Sequence, residues 1–305
     1  MNQNDPLSEL NSRLTIIRDR IRGVALRSHT GFYLFGRPGT SKTYTVKTTL
    51  DQLNVNYEYF DGHLSAIGLF ELLEEHPDST IILDDVSQLF KNKVALQILL
   101  AALGNQPDDR GTRIIKYRRQ GRDETVRFTG GIIAISNLEL HSDALLEALK
   151  SRVHYLQYAP TDEQMAAMMF EIAKNGWRVN DHKMTARECM EVARFLVSES
   201  QRRNVRLDMR LLVDKSFPDY LQHREGNSVA HWKDLIVSTL EEQTVPLIHT
   251  QAESGSRNGT KQTEHEIIRQ IIAKVPDRIK RVEAWTEQTG KSERAFYRRL
   301  KEMGL

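Results

Sequence analysis

Eight residues near the start of the chain, Gly36-Arg-Pro-Gly-Thr-Ser-Lys-Thr43, leave little freedom in how this sequence folds. They directly follow an apolar stretch, Phe32–Phe35, and directly precede a helical pattern near 41–53. A strand that turns through a tight loop into a helix gathers backbone N–H groups at the helix's positive end, which suits a nucleoside triphosphate. Lys42 would neutralise the β- and γ-phosphates and the Thr43 hydroxyl would ligate Mg²⁺, while Gly36, Pro38, Gly39, Thr40 and Ser41 shape the cradle. Ser41 stands where the pattern G-x-x-x-x-G-K-[ST] has its last glycine, and a Cβ there crowds the backbone beside the phosphates. The alternative is an ordinary Gly/Pro turn ahead of a lysine-bearing helix.

Around this loop, short apolar runs alternate with helical patterns up to about residue 158. The runs are Phe32–Phe35, Val55–Phe60, Thr80–Leu83, Gly131–Ser136 and Val153–Gln157, and the helical patterns fall near 41–53, 65–75, 91–104 and 142–150. Such alternation predicts an α/β fold, a parallel sheet covered by helices as in a P-loop αβα sandwich. An amphipathic helix within residues 1–30, with Leu7, Leu10, Leu14, Ile17, Ile21 and Val24 on one face, leads into this core of 31–158. After Pro160 the pattern turns helical. Thr161 to Gln164 fits a capping box, no convincing strand follows, and stretches near 161–174, 186–199, 208–223 and 231–242 predict an all-α lid over 159–248. Residues 249–263 read as a linker, and 264–305 as a small three-helix domain.

A second element sits beside the loop in this order. Ile81-Ile-Leu83 runs into Asp84-Asp85, a buried strand ending in two acids that need a cation or donors nearby. Asp84 is then the natural Mg²⁺ partner of Thr43, and Asp85 would orient or deprotonate an attacking water. Read alone, the acids could simply end a strand at the surface.

With these motifs the chain resembles the AAA+ ATPases over roughly residues 10–245. GRPGTSKT is similar to the family's G-P-P-G-T-G-K-T, and IILDDV to its hydrophobic strand ending in Asp-Glu, with Asp85 one methylene shorter than the usual glutamate. Ile132 to Asn137 resembles the sensor-1 strand, which implies that Asn137 holds the lytic water. Leu149-Lys-Ser-Arg-Val153 resembles the arginine-finger segment, which implies that Arg152 reaches the γ-phosphate of a neighbouring subunit. Leu207 to Leu212 resembles the sensor-2 helix of the lid, with Arg210 the best match and Arg206 the second. The resemblance implies ATP and Mg²⁺ as cofactors and a ring or spiral homo-oligomer, hexameric in the family's usual form.

Between the two acids and the sensor-1 strand, Arg113-Ile-Ile-Lys-Tyr-Arg and Thr125–Phe128 flank a polar turn at Gly121 and predict a β-hairpin over about 112–128. Its position resembles the pre-sensor-1 hairpin of a subset of AAA+ proteins, many of them DNA motors. Arg113, Lys116, Arg118, Arg119 and Arg122 are its candidate phosphate contacts, with Tyr117 among them as a stacking surface. The charges could instead be solvated or pair with an adjacent subunit. Residues 279–305 resemble a helix-turn-helix in which Arg294, Arg298 and Lys301, beside Tyr297, stay free for DNA, although small three-helix units also dock proteins.

Composition adds exclusions. Among 305 residues, 43 Lys+Arg against 41 Asp+Glu give +2, so bulk charge makes no case for nucleic acid and the placement of charges must. The single cysteine, Cys189, excludes an intrachain disulfide framework and reads as a small core residue, and the ten histidines lack ligand spacing. No run approaches the ~20 apolar residues that span a bilayer and no signal peptide is recognised, so a cytoplasmic protein without a membrane partner is expected. The sequence reading is an oligomeric ATPase coupled to DNA in replication initiation, helicase loading, recombination or mobile-element maintenance. Its alternatives are a MoxR-like remodeller of a protein client and a weakly hydrolysing, ATP-gated DNA-binding regulator.

Overall fold

The computed structural model describes residues 5–104, 108, 111–119, 121–140, 143–244, 267–269, 271–272, 278–289 and 292–303. The chain divides into two compact units, Met1–Thr244 and Val245–Leu305.

The first unit is built on a five-stranded parallel sheet. Its strands are β1 (Gly31–Phe35), β2 (Tyr57–Asp61), β3 (Thr80–Asp84), β6 (Gly131–Ser136) and β7 (His154–Gln157), in the spatial order β2-β3-β6-β1-β7. The central strands are apolar on both faces because both are covered. Phe32 and Leu34 point to α1 (Pro6–Ala25) and α2 (Lys42–Leu53), where Leu10, Ile17, Val46 and Leu50 meet them. Tyr33 and Phe35 point the other way, to α3 (Ala66–Glu75), α4 (Lys93–Ala102) and α5 (Ala144–Lys150), through Leu69, Leu99 and Leu149. The result is a P-loop α/β sandwich. Since all five strands run one way, everything that leaves their carboxyl ends converges on one rim, where open α/β sheets bind ligands.

The hairpin forms between β4 (Arg113–Arg119) and β5 (Arg122–Phe128), with Arg119 paired to Arg122. Period-two alternation sorts its side chains. Arg113, Ile115, Tyr117, Val126 and Phe128 turn inward onto the core, while Ile114, Lys116, Arg118, Thr125 and Arg127 face out.

The lid has its own apolar core, in which Met165, Leu196, Leu212, Phe217 and Trp232 are buried between α6 (Asp162–Lys174), α7 (Ala186–Arg203), α8 (Phe217–Arg224) and α9 (Trp232–Thr244). Both α6 and α7 start with complete capping boxes, at Thr161/Gln164 and Thr185/Glu188. Two expectations need correction. The lid is not wholly helical, because β8 (Trp177–Val179) and β9 (His182–Met184) pair across Asn180-Asp181, with Asn180 taking the left-handed conformation the turn requires. The helix expected over 208–223 is broken by a π-helical segment, Leu211–Ser216. Pro218 has no N–H to continue the ladder, and the Ser216 hydroxyl donates to the Leu211 carbonyl five residues back, filling the widened turn.

In the second unit, α10 (Arg278–Thr289) and α11 (Glu293–Glu302) enclose Trp285 and Phe296 with Ile268 and Ile271 from the preceding helical residues. Arg294, Tyr297 and Arg298 are exposed on α11. The expected linker, 249–263, lies outside the described residues, as do the side chains of Arg119, Arg122 and Lys301. Among the described residues, no helix is long and apolar enough to cross a membrane.

Candidate nucleotide site

The loop that leaves β1 follows a path only glycine permits at two points. A Cβ on Gly36 would strike the Tyr158 carbonyl, and one on Gly39, where φ is +72°, would strike Asp208. Ser41 has φ +65° and ψ 24°, the left-handed region normally left to glycine. Its Cβ is tolerated at a conformational cost of about 1–2 kcal/mol, so the departure from the motif is absorbed as backbone strain and the loop keeps its course.

Lys42, 6% exposed, turns back into the loop. Its Nζ donates to the Gly36 carbonyl (2.8 Å), the Arg37 carbonyl (2.8 Å) and Asn137 Oδ1 (2.9 Å). Burial lowers its pKa to about 8, against the opposing pull of the Asp85 and Asp84 carboxylates. Asn137 Nδ2 in turn donates to both carboxylate oxygens of Asp85, at 3.0 and 2.8 Å. Asp85 is itself left-handed, at φ +51°, and its N–H is held by the Ile135 carbonyl at 3.0 Å. On the other side of the loop, Thr43 Oγ1 donates to Asp84 Oδ2 at 2.6 Å, and the Tyr59 hydroxyl donates to the same oxygen at 3.0 Å. Burial and the Asp84 carboxylate push the Tyr59 hydroxyl well above its ordinary pKa.

These groups line one cleft of about 380 Å³, together with Pro38, Gly39, Thr40, Ser41, Tyr44, Asp61, Met209, Arg210 and Val213. Arg210 therefore faces the loop, at the point where the π-helical segment begins, whereas Arg206 is exposed and does not line the cleft. The lid is fastened to the loop at two places. Met209 N–H donates to the Gly39 carbonyl (2.8 Å), and Arg37 donates to Asp162 Oδ1 (3.0 Å), which also accepts from Leu207 N–H (3.3 Å).

The residues suit a polyphosphate with a divalent cation. A buried ammonium projects among loop carbonyls, and a hydroxyl and a carboxylate sit side by side at the helix start, the oxygen donors that Mg²⁺ takes alongside phosphate and water. Among the described residues no group of three or more His, Cys, Asp or Glu is placed to hold a metal by itself.

Several expected residues lie elsewhere. Arg152 follows α5 at the amino ends of the strands, and Thr30, just before β1, donates to its carbonyl at 3.4 Å. The five residues of β1, roughly 16 Å at ~3.3 Å per residue, separate it from its own loop. Its guanidinium folds back on the Ala148 carbonyl (2.7 Å). Arg113 is not a surface contact. It is 6% exposed, donates to the Gly130 carbonyl and lies 5.1 Å from the Phe128 ring centroid. Tyr117 also turns inward, its ring 5.4 Å from that of Phe70, so it is no stacking platform among the arginines. Lys116 and Arg118 do face outward, and they share that face with Arg127, which the sequence reading passed over. Tyr59 and Asp61 were missed as well. Asp61 ends β2 in register with Asp84 and Tyr59 lies two residues before it, a juxtaposition across strands that the local sequence does not signal.

No protein-family model matches the chain, and no curated protein does. Among solved structures, two similar to it are mutants of RuvB from Thermotoga maritima. A lysine-to-arginine mutant is 15% identical, with 93% of this chain and 81% of that chain covered, at a TM-score of 0.47. A proline-to-glycine mutant is 14% identical, with 98% and 88% covered, at 0.45. Likeness at this level says nothing of residue roles.

Proposed function

We propose that the chain is an AAA+-type ATPase that assembles with copies of itself in a ring or spiral and couples ATP and Mg²⁺ to action on DNA. The observation that supports this best is the convergence of Lys42, Thr43, Asp84, Asp85, Asn137 and Arg210 on one cleft from four separate segments of the chain. In this reading the loop N–H groups and Lys42 hold the phosphates, Thr43 and Asp84 hold Mg²⁺, and Arg210 closes the lid side. Bound Mg²⁺ would supply neutralisation of charge on the phosphate oxygens. Asp85, oriented by the Asn137 amide, is the group that receives a proton from the attacking water. Arg152 lies at the far rim and serves only a neighbouring subunit's site, so each site is completed by a second copy.

The proposed DNA contacts are Lys116, Arg118 and Arg127 on the outward hairpin face, with Arg119 and Arg122 at its tip, and Arg294, Arg298 and Lys301 in the terminal unit. Arg113 is withdrawn from that set. A second reading, the weakly hydrolysing ATP-gated regulator, draws on the hydrogen bonds by which Asn137 occupies both oxygens of Asp85. Calorimetry with Mg²⁺-ATP followed by turnover assays with and without DNA tests the proposal. Micromolar binding with DNA-stimulated turnover supports the motor, and binding of ATP and DNA without turnover supports the regulator. Turnover indifferent to DNA favours a protein remodeller, and no nucleotide binding refutes all three.

A further inference from the structure

Tyr59 has no place in the motifs above, yet it is built into the acid pair. It lies on β2, two residues before Asp61, whose register partner is Asp84. Its side chain leans along the strand until the hydroxyl reaches Asp84 Oδ2 at 3.0 Å, the same oxygen that Thr43 Oγ1 reaches at 2.6 Å, with Asp61 Oδ2 a longer alternative acceptor at 3.4 Å. The other carboxylate oxygen, Oδ1, has no hydrogen bond among the described residues. The ring is held from a second side: Lys47 Nζ sits 4.2 Å from its centroid. Lys47 and Thr43 are one turn apart on α2, so a single helix face grips both ends of the Tyr59–Asp84 pair.

We infer that Tyr59 is a positioning residue for the divalent cation: by engaging Asp84 Oδ2 together with Thr43 it restrains the carboxylate, and Oδ1 and the Thr43 oxygen would be the atoms left to hold the metal. Thr43 has one proton, and it is committed to Asp84; its oxygen is then free to act toward a cation. Without Tyr59, Asp84 Oδ2 keeps only Thr43, and the carboxylate can rotate about its last bond to pair with the hydroxyl through either oxygen. Lys47, stacked on the ring, keeps Tyr59 from swinging out to solvent. Partners that orient a metal-binding carboxylate commonly change metal affinity by about 10–100-fold.

This rests on the nucleotide reading, and its test separates the two. ADP affinity is measured by calorimetry across a Mg²⁺ titration and in EDTA, for the wild type, Tyr59→Phe and Lys47→Met. The expected result for Tyr59→Phe is a rise of about tenfold in the Mg²⁺ concentration giving half of the full magnesium effect, at the lower end of that range. Lys47→Met moves the midpoint the same way by about two- to threefold, because the hydroxyl remains and only its restraint is lost. A merely structural role for the ring would weaken ADP binding equally with and without Mg²⁺ and leave the midpoint in place. A midpoint within twofold of the wild type in Tyr59→Phe, with ADP still bound, overturns this inference alone. A wild type that binds no nucleotide overturns the nucleotide reading and this inference with it.

Discussion

Lys42 offers the sharpest quantitative test. Its ammonium is buried by the loop, with a pKa lowered to about 8, where an ordinary lysine stays charged to pH 10 and beyond. A polyphosphate pairs only with the charged form, so binding is penalised by the fraction of molecules in which Lys42 is neutral. With the pKa at about 8, Lys42 is about nine-tenths charged at pH 7 and about one-tenth charged at pH 9, and affinity falls about tenfold over that interval. An unperturbed lysine, with a pKa near 10.4, would change affinity by only a few per cent over the same interval. The terminal phosphate, with a second pKa of about 6, is already ionised throughout and adds little slope. The assay is calorimetric titration with ADP in EDTA, which keeps metal charge out of the site, at pH 7, 8 and 9. Lys42→Met serves as a reference that binds more weakly at pH 7 and shows no slope. Proton uptake on binding at pH 8 to 9, read from the dependence of the heat on buffer, is the second signature. The unliganded chain should trend the other way. The unfolded state holds the extra proton between about pH 8 and 10.5, so the Lys42 contribution to stability rises with pH across that window. A wild-type ADP affinity that is flat from pH 7 to 9 would refute the placement of Lys42 as a desolvated phosphate ligand.

Four further expectations concern the neighbouring subunit, the loop and the hairpin. Arg152→Ala should leave ATP affinity within about twofold and abolish turnover, because the guanidinium stands at the wrong end of β1 for its own loop and, in the proposed assembly, would act as an arginine finger of the kind that supplies about 10³–10⁵-fold; full turnover in the assembled mutant would sink the trans assignment. Ser41→Gly should raise unfolding free energy by about 1 kcal/mol in chemical denaturation, since glycine accepts φ near +65° without the Cβ penalty; a loss of stability would show that the loop is not strained there. Reversing Lys116, Arg118 and Arg127 to Glu should lower duplex affinity and reduce the salt slope by about 0.9 for each DNA phosphate no longer neutralised. Arg113→Ala, by contrast, should leave both unchanged to within about twofold, because the side chain never reaches the surface.

The layout of the cleft was legible because its main parts are local. A loop between strand and helix, and acids that end a buried strand, are set by sequence neighbours, so Gly36, Lys42, Thr43 and Asp84 could be placed from the order of elements, whereas Asn137 and Arg210 were reached only through the resemblance to the AAA+ ATPases. The hairpin was also legible, but the facing of its residues was misread. Arg113 shares parity with Ile115 and Tyr117, and Val126 with Phe128, so strict alternation already marked the inward face, and the count of arginines obscured it. The β8-β9 hairpin escaped because each strand has only three residues, too short for a period to register. The π-helical turn after Arg210 depends on a proline and a serine acting together, which no apolar periodicity reports. Tyr59 was invisible for a different reason: its partner lies on a neighbouring strand, and the order of strands in a parallel sheet leaves no mark in local pattern.

The two fastenings between loop and lid have a mechanical corollary. One end of the loop is tied through Arg37 to the start of α6, and its middle is tied through the Gly39 carbonyl to the backbone just ahead of Arg210. A tilt of α6 or of the segment before Arg210 away from the sheet would therefore stretch one of these two hydrogen bonds and pull on the loop itself, so that socket and lever are joined at the backbone as well as through a side chain.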